Sequence, residues 1–156
     1  MAGKTHKSNL ELMAEAERIV KPQYPTAVQV EDHGIPSSGL AKTAGDVDHW
    51  RFIFTDIDDI CTITLDYFNG QFGKPARSPT PWKDTAIREL PRHMNLDDAV
   101  LFLRDAGYSE PFKSVTLRSA LPTQKGADAS YIFTLDKRVV FMNAVTGEVT
   151  QVVEQE

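Results

Sequence analysis

A short alternating segment occurs twice in this 156-residue chain. Phe52-Ile53-Phe54-Thr55 returns 79 residues later as Tyr131-Ile132-Phe133-Thr134. Three further pairs keep the same order. Asn9-Leu10-Glu11 matches Asn95-Leu96-Asp97 at an offset of 86, Val28-Gln29-Val30 matches Val115-Thr116-Leu117 at 87, and Asn69-Gly70-Gln71-Phe72 matches Thr146-Gly147-Glu148-Val149 at 77. An ordered set of this kind restricts the chain to two like units, because each copy presents the same faces for burial. The change of offset places a longer loop at Glu31 to His49 than at its counterpart, Arg118 to Ala129.

Each unit opens on a helix. Ser8 or Asn9 caps the first, over residues 9–20, and Leu12, Ala16 and Ile19 form its apolar stripe with Met13 and Val20 beside it. Pro22 ends it. Asn95 caps the second, over 95–106, with Leu96, Ala99, Val100, Leu103 and Ala106 as its stripe and Gly107 as its stop. Strands follow. Trp50, Phe52 and Phe54 alternate with Arg51, Ile53 and Thr55, and Cys61, Ile63 and Leu65 alternate with Thr62, Thr64 and Asp66. Tyr131, Phe133 and Leu135 alternate with Ile132 and Thr134, and 139–144 is a further strand. Asn69-Gly70 and Thr146-Gly147 are turn signals, each followed by a last short strand.

Pro75, Pro79, Pro81 and Pro91 mark a linker, with room for a short helix over Trp82 to Leu90. The expected organisation is a first α-β repeat at 8–73, a proline-rich linker at 74–92 and a second repeat at 93–154. The expected class is α+β: a tandem repeat of a helix followed by a three- to four-stranded antiparallel sheet.

The C-terminal run Tyr131-Ile132-Phe133-Thr134-Leu135-Asp136, continued by Val140-Phe141-Met142-Asn143-Ala144-Val145-Thr146-Gly147-Glu148-Val149, resembles a PepSY domain. That family ends in a strand, an Asp-Ala-x-Thr-Gly turn and a last strand. Asn143 stands at the usual aspartate, where either residue can bond the turn backbone. In the first unit Asp66 keeps the aspartate and Asn69 replaces the threonine. The match covers about the last third of the chain, and its motif is specific for fold more than for activity. The resemblance implies a non-enzymatic binding module linked with peptidase inhibition or regulation, commonly outside the cytoplasm. The tandem plan is also similar in architecture to the beta-lactamase inhibitory proteins.

Composition narrows the classes. The chain is 41% hydrophobic and 25% charged, as a globular protein is, with a net charge of -5 that disfavours nucleic acid, which needs a basic face. The first residues, Met1 to Ser8, lack the apolar segment of a signal peptide, and no apolar run approaches the ~20 residues of a membrane span, so the expected location is cytoplasmic. The single cysteine, Cys61, sits in an apolar run and reads as core.

Candidate chemistry is sparse. His33 and His49 beside Glu31, Asp32, Asp46 and Asp48 offer metal-ligand types without the spacing of a zinc motif, and a polar loop accounts for them better. Asp56, Asp58 and Asp59 lack the glycine and terminal glutamate of a calcium loop. Ser37-Ser38-Gly39 and Gly3-Lys4-Thr5 resemble nucleophile and phosphate motifs without their context, and Arg92-His93 reads as a surface pair. No catalytic residue, metal or cofactor is expected.

The expected activity is binding of another protein, as an inhibitor or regulator. The alternatives are an immunity protein that neutralises a toxin, and a small-ligand protein or enzyme with a pocket between sheet and helices. If Trp50, Phe52, Phe54 and Phe133 face the helices, strand alternation turns Arg51, Ile53, Thr55, Ile132 and Thr134 the other way. Thr62 and Thr64 extend that surface, and Trp82 flanks it or plugs the groove between the units. These eight residues are the expected contact face for the partner.

Overall fold

The computed structural model describes residues 7–121, 123 and 127–155. The segment Gly3-Lys4-Thr5 lies outside the described residues. Helix α1 (Asn9–Val20) starts where Ser8 makes a capping box: the Glu11 N–H donates to Ser8 Oγ at 3.2 Å, and the Ser8 N–H donates back to the Glu11 carboxylate at 3.5 Å. Helix α2 (Leu96–Asp105) starts where Asn95 Oδ1 accepts from the Asp98 N–H at 2.8 Å. The caps are therefore Ser8 and Asn95. Asn9, matched to Asn95 in sequence, lies inside the helix and is buried, so the helices align one residue off the expected register.

Nine strands form one antiparallel sheet among the described residues: β1 (Ala27–Ile35), β2 (His49–Asp56), β3 (Cys61–Phe68), β4 (Gln71–Phe72), β5 (Ala76–Ser78), β6 (Ser114–Arg118), β7 (Ser130–Thr134), β8 (Arg138–Asn143) and β9 (Val149–Glu154). Their order is β4-β3-β2-β1-β6-β7-β8-β9, with β5 beside β4 on the outer side of β3. The expectation was a three- to four-stranded antiparallel sheet in each half. β1 pairs with β6 at Glu31–Arg118, Asp32–Leu117, His33–Thr116 and Gly34–Val115, so the strands of both halves belong to one sheet.

The expected loop from Glu31 to His49 is shorter than its sequence indicates. β1 continues to Ile35, opposite His49. A bulge between Gln29 and Glu31 leaves Val30 unpaired, so Gln29 and Asp32 both face the helices. Polar residues and a broken period together concealed the strand. Gly34 is required by close approach: a Cβ there would stand 2.7 Å from Val47 Cγ1 and 2.9 Å from the Trp50 ring.

The proline-rich segment holds no helix over Trp82 to Leu90, and β5 lies within it. Three of its backbone groups are tied to the sheet and its ends. The Thr62 hydroxyl donates to Thr80 O at 2.6 Å, the Ala86 N–H to Ala120 O at 2.8 Å and the Leu90 N–H to Gln29 O at 3.2 Å. Thr80 is thus held at β3 and Ala86 at the end of β6. Three strand spacings of about 4.8 Å separate them, a gap six extended residues can span. Residues 80–90 form a strap that crosses β2 and β1 and passes round the sheet end.

Both helices pack on one face. Met13, Ala16, Phe52, Phe54, Leu103, Phe112, Phe133 and Met142 are fully buried between the layers, and Trp50, as expected, joins them at 3% exposure. Each large apolar side chain buried there contributes about 1.5–3 kcal/mol. Cys61 is also buried in this core. No helix among the described residues is long and apolar enough to cross a membrane.

Candidate protein-binding face

Strand parity fixes the outer face. Phe52, Phe54, Tyr131 and Phe133 point into the core, so their neighbours point away from it. The registers align one row across seven strands: Asp66, Arg51, His33, Thr116, Ile132, Phe141 and Gln151. The next row holds Thr64, Ile53, Glu31, Arg118 and Ser130. Of the eight expected contact residues, Arg51, Ile53, Thr62, Thr64, Ile132 and Thr134 occupy this face. Arg51 is exposed and the other five are half-buried.

Two expected residues stand differently. Thr55 is 3% exposed, opposite Thr62 under the path of the strap, and its hydroxyl donates to Cys61 O at 3.3 Å. It cannot touch a partner. Trp82 belongs to the strap, half-buried, with its indole N–H donating to Thr85 Oγ1 at 2.8 Å.

Sequence reasoning missed Glu31, His33, Thr116, Arg118 and Phe141, which lie on the same surface. For Glu31 and His33 the cause was their assignment to a loop. The signal available was the pair Val28 and Val30 followed by Ile35, an apolar frame that a bulge puts out of period. These polar residues join the two sides of the sheet. His33 Nδ1 lies 2.8 Å from Thr116 Oγ1, and Arg118 Nε lies 3.4 Å from Glu31. Further out, Arg51 grips both Asp66 oxygens at 2.8 and 3.2 Å. That bond holds the Asp66 carboxyl below its ordinary pKa. Burial lowers the His33 pKa, helped by the charges of Arg51 and His49, and burial raises that of Glu31 against the pull of Arg118. The face is a field of paired charges, hydroxyls and half-buried apolar side chains.

The other candidates are tied up elsewhere. His33 stands opposite Arg51 and His49 opposite Ile35, so the two histidines are diagonal neighbours on adjacent strands. Among the described residues no three His, Cys, Asp or Glu side chains gather as a ligand set. Asp56 closes its own turn: Thr26 Oγ1, Asp58 N at 3.0 Å and Asp59 N at 3.4 Å donate to it, and Asp59 pairs with Arg77. Ser37 bonds to Asp48, and Arg92 pairs with Glu17 of α1 while His93 is exposed. In the C-terminal turn Asn143 Oδ1 accepts from Val145 N at 2.8 Å and Thr146 N at 2.9 Å. Asp66, its counterpart, spends its carboxylate on Arg51.

Beneath the sheet, against the helices, lies the buried core. Its polar members are partnered. The Leu96 N–H donates to Asn9 Oδ1 at 2.7 Å, Asn9 Nδ2 donates to the Tyr131 hydroxyl at 2.9 Å, and that hydroxyl donates to Met94 O at 2.6 Å. Asp32 is wholly buried, and the end of the Gln29 amide lies 2.6 and 3.0 Å from its two oxygens. Burial raises the Asp32 pKa well above the carboxylate range, outweighing the attraction of Arg92. A protonated Asp32 donating to Gln29 Oε1 fits the 2.6 Å separation, typical of O–H···O. It also leaves Gln29 Nε2 donating to Met13 O at 3.4 Å.

Comparison with protein families and with curated proteins finds no match to this sequence. Among solved structures the chain is similar to a putative lipoprotein from Clostridium difficile 630, with a TM-score of 0.62, 15% identity and 92% of each chain covered. At that identity the likeness concerns the fold alone.

Proposed function

We infer that this chain is a non-enzymatic protein-binding module that engages its partner through the outer sheet face. The observation carrying this reading is the seven-strand row from Asp66 to Gln151, an outer sheet surface on which Arg51 and Gln151 are exposed and Ile132 and Phe141 half-buried. Paired charges such as Arg51–Asp66 suit a partner surface that is itself mixed, because they leave little net field on the face. The polar side chains beneath α1 and α2, Asn9, Gln29, Asp32 and Tyr131, are bonded within the protein, which favours this reading over a ligand pocket there.

The same reading treats 8–73 and 93–154 as tandem PepSY-like units. Three correspondences support it. An offset of 87 carries the Ser8 cap onto Asn95 and the buried set Asn9, Leu12, Met13, Ala16 onto Leu96, Ala99, Val100, Leu103. An offset of 77 carries Ile63 and Leu65 onto Val140 and Met142. The same offset carries Gly70 onto Gly147, both at φ +81°. Inhibition or regulation of the bound protein is the role the resemblance implies. Cell fractionation of the native protein separates the cytoplasmic reading from the non-cytoplasmic one at which likeness to a putative lipoprotein hints.

The test is capture of interacting proteins from native cells by the tagged chain and by an Ile53→Asp/Ile132→Asp double variant. Loss of a specific partner with an unchanged circular dichroism spectrum is expected. Retained capture by the folded variant overturns the face assignment.

A further inference from the structure

The chain has four asparagines, and hydrogen bonding sets one apart. Asn9 is buried, its Oδ1 accepting from Leu96 N and its Nδ2 donating to Tyr131. Asn95 Oδ1 accepts from Asp98 N, and the next main-chain nitrogen, that of Leu96, is the one bonded to Asn9 at 2.7 Å. Asn143 Oδ1 accepts from Val145 N and Thr146 N, and its Nδ2 donates to Asp128 at 3.1 Å. The nitrogen that follows it, on Ala144, donates to Ala129 O at 2.9 Å.

Asn69, in the turn between β3 and β4, is exposed, and its side chain makes no hydrogen bond among the described residues. The next residue is Gly70. Its N–H donates to no group among the described residues, and a Cβ built on it would meet nothing within 4 Å. The two stand at φ +54° and +81°, the pattern of a tight hairpin turn. That turn leads into a strand of two residues at the sheet margin, paired only at Tyr67–Phe72 and Phe68–Gln71. So short a strand opens locally at little cost.

We propose that Asn69 is a self-modification site, where the chain's own backbone converts the side-chain amide to aspartate and isoaspartate when the turn opens. The Gly70 nitrogen attacks Asn69 Cγ. A new N–Cγ bond closes a cyclic imide, the Cγ–Nδ2 bond breaks, and Nδ2 leaves as ammonia with the Gly70 N–H proton. Water then opens the imide. Cleavage at Cγ gives aspartate. Cleavage at the main-chain carbonyl gives isoaspartate, whose backbone runs through Cβ and Cγ. Glycine offers no side chain to obstruct the attack, whereas Leu10, Leu96 and Ala144 follow the other three asparagines. Isoaspartate lengthens the path of a turn whose two residues fix the register, so β4 detaches. Phe72 then leaves its place 4.8 Å from the Tyr67 ring and 6.0 Å from that of Phe52. The β3 ladder is bared at Tyr67 and Phe68, while β5 still covers Thr62 to Thr64.

The test is ageing of the full chain at mildly alkaline pH, followed by peptide mass mapping and enzymatic detection of isoaspartate, for the wild type, Asn69→Gln and Asn69→Asp. The wild-type peptide carrying Asn69 is expected to gain the mass of OH exchanged for NH2, with isoaspartate present, and those carrying Asn9, Asn95 and Asn143 are expected unchanged. Neither variant is expected to show that gain. Hydrogen exchange of the Gly73 amide, bonded to Asp66 O at 2.8 Å, is expected to quicken in the isoaspartate fraction and to stay slow in fresh Asn69→Asp, which carries the charge on an ordinary backbone. An unchanged mass at Asn69, or an equal gain at Asn143, overturns the site. An isoaspartate fraction that keeps Gly73 protected overturns the release of β4. If Asn69→Gln does not fold, Asn69→Asp decides.

Discussion

Helices α1 and α2 rest on the same sheet, yet the layers beneath them differ in chemistry. Under α2 the buried positions of β6 are Val115 and Leu117, and the helix contributes Leu96, Ala99, Val100 and Leu103. Under α1, β1 contributes Gln29 and Asp32 beside Ala27, and the helix adds Asn9, where α2 has Leu96, to Leu12, Met13, Ala16 and Val20. The polar residues are not scattered. Asn9 ties α1 to the start of α2 and, through Tyr131, to β7, while Asp32 sits on the strand that meets β6. The apolar layer supplies free energy. The polar layer fixes how the parts meet, because each buried group is satisfied in only one arrangement.

The largest effect should come from the apolar side. Phe133→Ala should cost about 3–5 kcal/mol in a denaturant titration, from lost transfer energy and the cavity it leaves. A smaller change would mean the layer under α2 collapses to fill the space. Next comes the seam. Asn9→Ala strands the Leu96 N–H and one Tyr131 bond and should cost about 1–3 kcal/mol. A double-mutant cycle with Tyr131→Phe should show coupling between the two sites, and strict additivity would break the account of Asn9 as a joint.

Asp32 sharpens the comparison through pH. Its folded pKa is raised, so its contribution to stability is fully present below its unfolded pKa and is lost as pH rises through the folded value. Thermal melting should therefore weaken as pH increases above the acid range. Asp32→Asn, which keeps a donor for Gln29 and carries no charge, should flatten that dependence and melt higher than wild type at alkaline pH. Equal slopes for both proteins would show that another group governs the decline. The smallest effect belongs to the surface. Asp66→Ala removes the exposed Arg51 pair and should change stability by under about 1 kcal/mol.

Much of the fold was legible where local chemistry is decisive. Asn95, Gly107 and the alternation from Trp50 to Thr55 each state their structure within a few residues, and the facing of Ile53 and Ile132 followed from that alternation. Non-local features were not legible. Nothing near Glu31 announces that it will lie beside Arg118, and a bulge at Val30 disguised the strand that carries it. The strap was read as a linker because its prolines exclude regular structure, but the carbonyls of Gln29 and Ala120 that hold it are distant in sequence. Thr55 was misjudged for the same reason: its parity was right, and the segment passing over it was invisible.

Assembly of this sheet has an order imposed by the β1–β6 junction. Its partners Glu31 and Arg118 are 87 residues apart, so the ladder is expected to close after the flanking sets of neighbouring strands have paired locally. Until then β1 carries a bare ladder in the middle of what will become the sheet. Residues 114–118 of a second molecule can fill it as well as the chain's own, with the strap as the crossover, and the product is an exchanged dimer. Refolding at high concentration should therefore divide between single chains and exchanged pairs. Synthesis from the N-terminus exposes that ladder for as long as the second unit takes to emerge.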